Sequence, residues 1–238
     1  MKIFVISLRS SIERRAYVRK ALKDIDFTFF DADNLSEDPD HFIYQLYSPN
    51  KTRMLKGYTL TTTELGCFAS HISLWKKCVE LNEIILILED SIELLNDFRH
   101  YLSVIDNLAK ELGIIKLYSI FHRKTKLVKK VDSKYNVVSN LKGGCGTQAY
   151  AITPEVALAY LDLAQNFFEP VDDFIETEWR TKQTVYSLMP ELVKRRHVAS
   201  TIGPRKDKHN LSLIRKFNTE FYRVYKKIRQ LSYNVIHK

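Results

Sequence analysis

The chain has 238 residues, 45% of them hydrophobic, which is enough for one large α/β domain or two small ones. No run approaches the roughly 20 apolar residues of a spanning helix, and Met1–Leu8 meets Arg9 too soon for a signal peptide, so a soluble or peripheral protein is expected. The net charge of +9 is uneven: residues 194–238 hold 13 Lys/Arg against Asp207 and Glu220, while the remainder holds 24 against 26 acids. That asymmetry points to an anionic partner for the tail, such as a membrane, a nucleic acid or a glycolipid phosphate. Cys67, Cys78 and Cys145 form an odd, sparse set without paired metal spacing, which suits reduced thiols in a cytosolic protein.

Ile3 to Leu8 reads as a buried strand, and Ser10-Ser11-Ile12-Glu13 as a capping box opening a helix through about Lys23. This is half of a βαβ unit, whose turn offers backbone donors to a phosphate. Arg9, Arg14 and Arg15 add positive charge there, or simply form a solvated basic face. Phe27 to Phe30 makes a second strand tipped by Asp31-Ala32-Asp33, and Leu35 to Lys56 reads as an irregular, mobile loop. Thr61-Thr62-Thr63-Glu64 is a second capping box, behind which Leu65, Phe68, Ile72, Trp75 and Val79 recur at helical spacing. His71, beside that stripe, is open between a structural role and a pocket role.

Ile84 to Leu88 is an apolar run suited to a strand buried on both faces. It stops at Glu89 and Asp90, with Glu93 two residues beyond Ser91. Burying a carboxylate is costly without a cation or several donors, and ligands of open α/β sheets collect at carboxyl ends of strands. The tip is therefore a candidate for a divalent metal or for sugar and ribose hydroxyls; the alternative is a solvated acidic loop.

A helix over Leu95–Leu112, a strand around Ile114–Ile120 and a β-ribbon over Lys126–Val138 follow. Gly143-Gly144-Cys145-Gly146 feeds a strand over Thr147–Ile152, Pro154 opens a helix, Pro170-Val171-Asp172-Asp173 precedes another, and Thr184–Met189 is a late strand. The alternation predicts a mixed, mainly parallel sheet flanked by helices, closed by Gly203-Pro204. Beyond it Ile214, Phe217, Phe221, Val224, Ile228, Leu231 and Val235 form a 3,4-spaced seam on a helix otherwise rich in Lys and Arg. Such a basic amphipathic helix suits an anionic bilayer surface, its own domain, or a second copy.

Several stretches together resemble glycosyltransferase family 25, whose members build bacterial lipooligosaccharide and glycosylate collagen. They are Val5-Ile6-Ser7-Leu8 with Glu13-Arg14-Arg15, Phe30-Asp31-Ala32, Glu64-Leu65-Gly66-Cys67-Phe68-Ala69-Ser70-His71 with Leu74-Trp75, Leu88-Glu89-Asp90, Cys145 to Ile152, and Pro170-Val171-Asp172. They keep the family's order over about residues 1–202.

The resemblance implies a GT-A-like, Rossmann-type domain over 1–203, with a nucleotide-sugar half to about 120, an acceptor half to 203, and a helical tail over 204–238. It implies transfer of galactose or glucose from a UDP-sugar, with inversion, to a hydroxyl of a lipooligosaccharide or lipopolysaccharide glycan. The location it implies is cytoplasmic, peripheral on the inner membrane, with the tail on an anionic surface and no nucleic-acid partner. By position Ser7, Leu8, Arg14, Asp31 and Ala32 would lie on the nucleotide, Glu89 and Asp90 on the sugar-diphosphate, and Glu64 and His71 in the pocket. Asp172, or else Asp173, would be the general base.

One departure matters: the family usually reads Glu-Asp-Asp where this chain has Glu89-Asp90-Ser91. A serine hydroxyl is a poor ligand for Mn²⁺ or Mg²⁺. Either Asp90 or Glu93 takes over beside Ser91, or arginines and backbone donors stabilise the diphosphate without a metal, or activity falls. A non-catalytic nucleotide-sugar-binding homologue is thus the alternative reading. A nucleic-acid-binding protein is a further one, although the tail shows no recognition motif.

Overall fold

The computed structural model describes residues 1–36, 38–196 and 213–238, with side chains of the last segment from residue 216. In chain order the elements are β1 (Lys2–Ser7), α1 (Ile12–Ala21), β2 (Thr28–Asp31), α2 (Ile43–Leu46), α3 (Pro49–Lys56), α4 (Thr62–Leu81), β3 (Ile85–Glu89), β4 (Ile92–Leu94) and α5 (Leu102–Leu112). There follow β5 (Ile114–Lys116), β6 (Thr125–Lys130), β7 (Asn136–Asn140), β8 (Ala149–Ile152), α6 (Pro154–Leu163), α7 (Val171–Ile175), α8 (Glu178–Thr181), β9 (Tyr186–Met189), β10 (Val193–Arg195) and α9 (Leu213–His237).

Eight strands make one sheet in the order β2-β1-β3-β8-β5-β9-β7-β6, and β10 pairs with β4 alongside. β1, β2, β3, β5, β6 and β9 share one direction, while β7 and β8 oppose them, so the sheet is mixed and mainly parallel as the alternation predicts. β8 lies between β3 and β5, and the two expected halves share this one sheet.

The central strands alternate between two cores. Phe4, Ile6, Ile85 and Ile87 face one side, where α4, α6 and α7 pack; Ile3, Val5, Leu86 and Leu88 face the other, under α1 and α5. With both faces covered, β3 has no polar side, which is why its sequence is a continuous apolar run.

α4 is opened by the expected capping box: Thr61 Oγ1 accepts from Glu64 N, and Thr61 N donates to Glu64 Oε2 at 2.9 Å. The box expected at Ser10–Glu13 does not form. Ser11 N donates to the Leu8 carbonyl in a tight turn, making Ser11 the N-cap and Arg14 the third helical residue. Glu13 is then one position short for a reciprocal bond.

The segment expected to be a loop, residues 35–56, contains α2 and α3. Ser48 N and Thr52 Oγ1 donate to the carbonyls of Phe167 and Phe168, at 2.8 and 2.7 Å. Helices this short carry too few turns for a periodic signal, so their fixation is tertiary. The helix expected from Leu95 is shorter than predicted, because β4 and a run of turns occupy the chain before Leu102. The predicted boundary at Gly203-Pro204, together with Asp207 and the tail to residue 212, lies outside the described residues, as does the side chain of Ile214.

Candidate active site

The carboxyl ends of β1 and β3, which are neighbours with Ile6 beside Glu89, open onto a cavity of about 440 Å³. Ser7 Oγ donates to Asp90 Oδ2 at 2.7 Å, and Arg14 Nη1 donates to Asp90 Oδ1 at 3.1 Å. Arg14 reaches the strand tips from the first turn of α1. Arg15 holds Asp31, whose carboxyl is kept below the usual range first by Arg15 and then by Arg9.

Glu89 Oε1 accepts from Thr147 Oγ1 at 2.8 Å. Burial pushes its pKa up, against the lowering hydrogen bond from Thr147. The turn before Thr147 is shaped by Gly146, at φ +84°, where an added Cβ would stand 2.4 Å from Gln148 Oε1. A buried Lys116, paired with Glu176, donates to the Cys145 carbonyl at 2.9 Å and holds the turn from behind.

Asp172 reaches the same cavity from the first turn of α7. Its carboxylate accepts from the backbone N–H of Asp173 at 2.9 Å and of Gly146. Burial, and next the adjacent Asp173, raises its pKa. A carboxylate held by two backbone donors, yet destabilised as an anion, is poised to take a proton.

α4 supplies the remaining wall. Gly66 lets it approach the end of β2, since a Cβ there would sit 2.5 Å from the Asp33 carbonyl oxygen. Cys67, Ser70 and His71 project from the following turns. Burial drives the His71 pKa down to about 3, so the ring is neutral. Trp75 Nε1 donates to Tyr150 Oη at 2.9 Å, and Tyr150 Oη lies 2.8 Å from His71 Nδ1. An indole N–H only donates, so the economical arrangement has the tyrosine hydroxyl donate to Nδ1 and leaves the proton of His71 on Nε2. His71 Nε2 and Gln148 Oε1 are buried without a hydrogen-bond partner among the described residues.

Of the residues singled out in the sequence, Ser7, Leu8, Arg14, Ala32, Glu64, His71, Glu89, Asp90, Ser91 and Asp172 line this cavity. Three do not. Asp31 is turned to its arginines, Asp173 to Lys56 at 2.6 Å, and Glu93 to Lys194 at 3.0 Å across the β4–β10 pair. Arg195 lines the cavity but has no local signal, because it belongs to a basic run that only the pairing of β10 with β4 brings to the strand tips.

The donors expected for Mn²⁺ or Mg²⁺ do not converge. Asp90 already receives Ser7 and Arg14, Ser91 contributes a hydroxyl near Glu89, and Glu93 is elsewhere. Such a cation is held by one or two carboxylates and completed by water and substrate phosphates; of the three expected donors Asp90 is the one carboxylate that lines the cavity, and Ser7 and Arg14 already engage both of its oxygens. Cys67, His71 and Glu89 do place one ligand atom each within 4.8 Å of one another. In the tautomer above, however, His71 presents an N–H there and not a lone pair.

A profile of glycosyltransferase family 25 (LPS biosynthesis protein) matches residues 1–175, and every element that builds the cavity except β10 falls inside that span. The chain belongs to glycosyltransferase family 25. Within the family it is 30% identical to a candidate glycosyltransferase of Haemophilus influenzae over 73% of this chain and 61% of that protein. It is 26% identical to the lacto-N-neotetraose biosynthesis glycosyltransferase LgtE of Neisseria meningitidis, over 81% and 73%. It is 29% identical to the lipooligosaccharide biosynthesis protein lic2B of H. influenzae, over 64% and 59%. The chain thus spans about three fifths of the length of both Haemophilus relatives. Among the described residues, no helix is long and apolar enough to cross a membrane.

Proposed function

We propose that this family 25 chain is an inverting glycosyltransferase of GT-A type. It would move galactose or glucose from a UDP-sugar to a hydroxyl of a lipooligosaccharide or lipopolysaccharide glycan, at the cytoplasmic side of the membrane. The observation that carries the reading is the meeting, in one cavity, of Arg14 from the first turn of α1 and Asp90 from the β3 tip with Asp172 from the first turn of α7. In-line attack needs a carboxylate to receive the acceptor proton and positive charge opposite it for the departing diphosphate. Asp172 supplies the first, and Arg14 with Arg195 the second. Asp173 is set aside as base because Lys56 holds it in an ion pair.

Metal dependence is proposed to be weak, with Arg14 neutralising charge that a cation would otherwise meet. Ser91 in place of an acid would thus weaken metal binding without abolishing turnover, in contrast to the non-catalytic reading.

The test is a calorimetric and thermal-shift screen of UDP-sugars with and without Mn²⁺, followed by donor hydrolysis. We expect one UDP-hexose to bind without added metal, Arg14→Gln to weaken it by about tenfold or more, and Asp172→Asn to slow turnover by about 10²–10⁴-fold with binding retained. Binding without any hydrolysis or transfer would favour the non-catalytic homologue. No binding of any UDP-sugar would sink both readings.

A further inference from the structure

The helix α9 carries two incompatible faces. Thr219, Tyr222 and Tyr233 are buried against the domain: Tyr222 meets Phe168 edge-on, and Tyr233 Oη lies 2.9 Å from Thr184 Oγ1. On the same side Lys226 reaches Glu169 and Asp173 at 3.7 Å each, and Gln230 donates to Glu178 at 2.6 Å. At about 100° per residue, the apolar seam falls on the opposite side of the helix. Phe217, Phe221, Val224, Ile228, Leu231 and Val235 are 54–87% exposed. The helix is therefore not held to the domain by the residues of this seam, and six large apolar side chains stand in water along about five turns.

Charge identifies what covers them. Lys216, Arg223 and Lys227 are exposed along one edge of the seam, and Arg229 lies beyond Tyr225 on the other. Glu220 is the single acid of the helix, and it already pairs with Arg223. A second copy laid on this seam would bring like charges together at the flanks, where a helical pair calls for opposite ones. An anionic lipid surface meets both demands, taking the apolar seam into the acyl boundary and the basic edges at its phosphates.

We infer that α9 is an in-plane membrane-docking helix, fixed to the domain by its tyrosine face and presenting the opposite seam to an anionic phospholipid bilayer. Through Lys226 it is joined to α7 next to Asp172, so docking would hold the cavity at a set distance from the lipid. The inference concerns where the chain sits and stands apart from the assignment of the base.

The experiment is co-sedimentation of the full chain with vesicles of phosphatidylglycerol and phosphatidylethanolamine, against phosphatidylcholine alone, at rising salt. The variants are Phe221→Ser/Ile228→Ser/Leu231→Ser and, separately, Arg223→Glu/Lys227→Glu. Because these side chains face solvent, thermal melting should be unchanged, and melting is measured alongside. We expect binding to the anionic vesicles only, weakening with salt and falling by about tenfold or more in each variant. If the triple variant melts early, the charge-reversal pair with the salt series decides in its place. Equal binding by the parent and the charge-reversed chain, or no binding to anionic vesicles, overturns the proposal. A dimer in sedimentation velocity that the triple variant dissolves, without vesicle binding, overturns it in favour of a second copy.

Discussion

At the scale of single residues, two acids of the cavity are kept from ionising easily. Glu89 and Asp172 both have pKa values raised chiefly by burial. An acid that ionises later when folded than when unfolded contributes stability that is present below its ordinary pKa and lost as pH rises through the folded value. Glu89→Gln should accordingly flatten the loss of stability between acid and neutral pH, as read by urea unfolding at several pH values. With Asp172 as base, kcat/KM should rise with pH through a midpoint above the ordinary 3.8 of aspartate. A pH–rate profile without such an acid limb would remove Asp172 from the role. Ser91→Asp should restore a carboxylate beside Glu89 and raise Mn²⁺ affinity in calorimetry; unchanged affinity would show that the position does not face a cation site. The proton of His71 is checkable by ¹⁵N imidazole spectra. The parent should show Nε2–H, and Tyr150→Phe should lose that single form and about 1–3 kcal/mol of stability by unpairing Trp75 Nε1.

Among the elements, α4 does the most to position the site, and its start was readable from sequence. A Thr–x–x–Glu box satisfies two orphan N–H groups locally, so nothing remote is needed to set it. Its closeness to β2 was not readable, because it depends on what lies opposite Gly66. Gly66→Ala would press a methyl group to 2.5 Å from a backbone oxygen. It should cost about 1–3 kcal/mol and weaken donor binding, as measured by chemical denaturation and calorimetry. Retained stability would mean that β2 yields more readily than its packing suggests. α1 illustrates the opposite lesson. Ser10 and Glu13 have the right spacing, yet a backbone bond from Ser11 to Leu8 moves the cap by one residue, and no reciprocal bond forms.

For the molecule as a whole, one sheet carries both the nucleotide-side strands and the glycine turn that supports Asp172, while buried ion pairs tie the helices behind it. Glu169, fully buried, faces Arg180, Lys56 and Lys226, which come from three separate helices. Burial works against the charge on Lys56, but Asp173 and then Glu169 outweigh it and hold the amine protonated well above its ordinary range. Lys56→Met leaves Glu169 with Arg180 and Lys226 and Asp173 with Lys226, so it should destabilise by the loss of one set of buried charge-assisted bonds, about 1–3 kcal/mol. It should also remove one of the cations that Asp173 faces, and hydrogen exchange should then speed up in α3, α7 and α9 together. A change confined to α3 would argue against a shared network.

The sequence by itself determined the features whose causes are local: the apolar β3 run, the α4 cap, the ribbon of β6 and β7, the amphipathic periodicity of α9 and the order of the family 25 stretches. These follow from side-chain period, capping bonds and turn chemistry, which act over a few residues. Only the tertiary structure decided that Arg195 joins the cavity, that Asp173 and Glu93 leave it, and that α9 turns its tyrosines inward and its seam outward. Each of those depends on a partner far away in the chain, and charge and periodicity specify that a group needs a partner without specifying which one it meets.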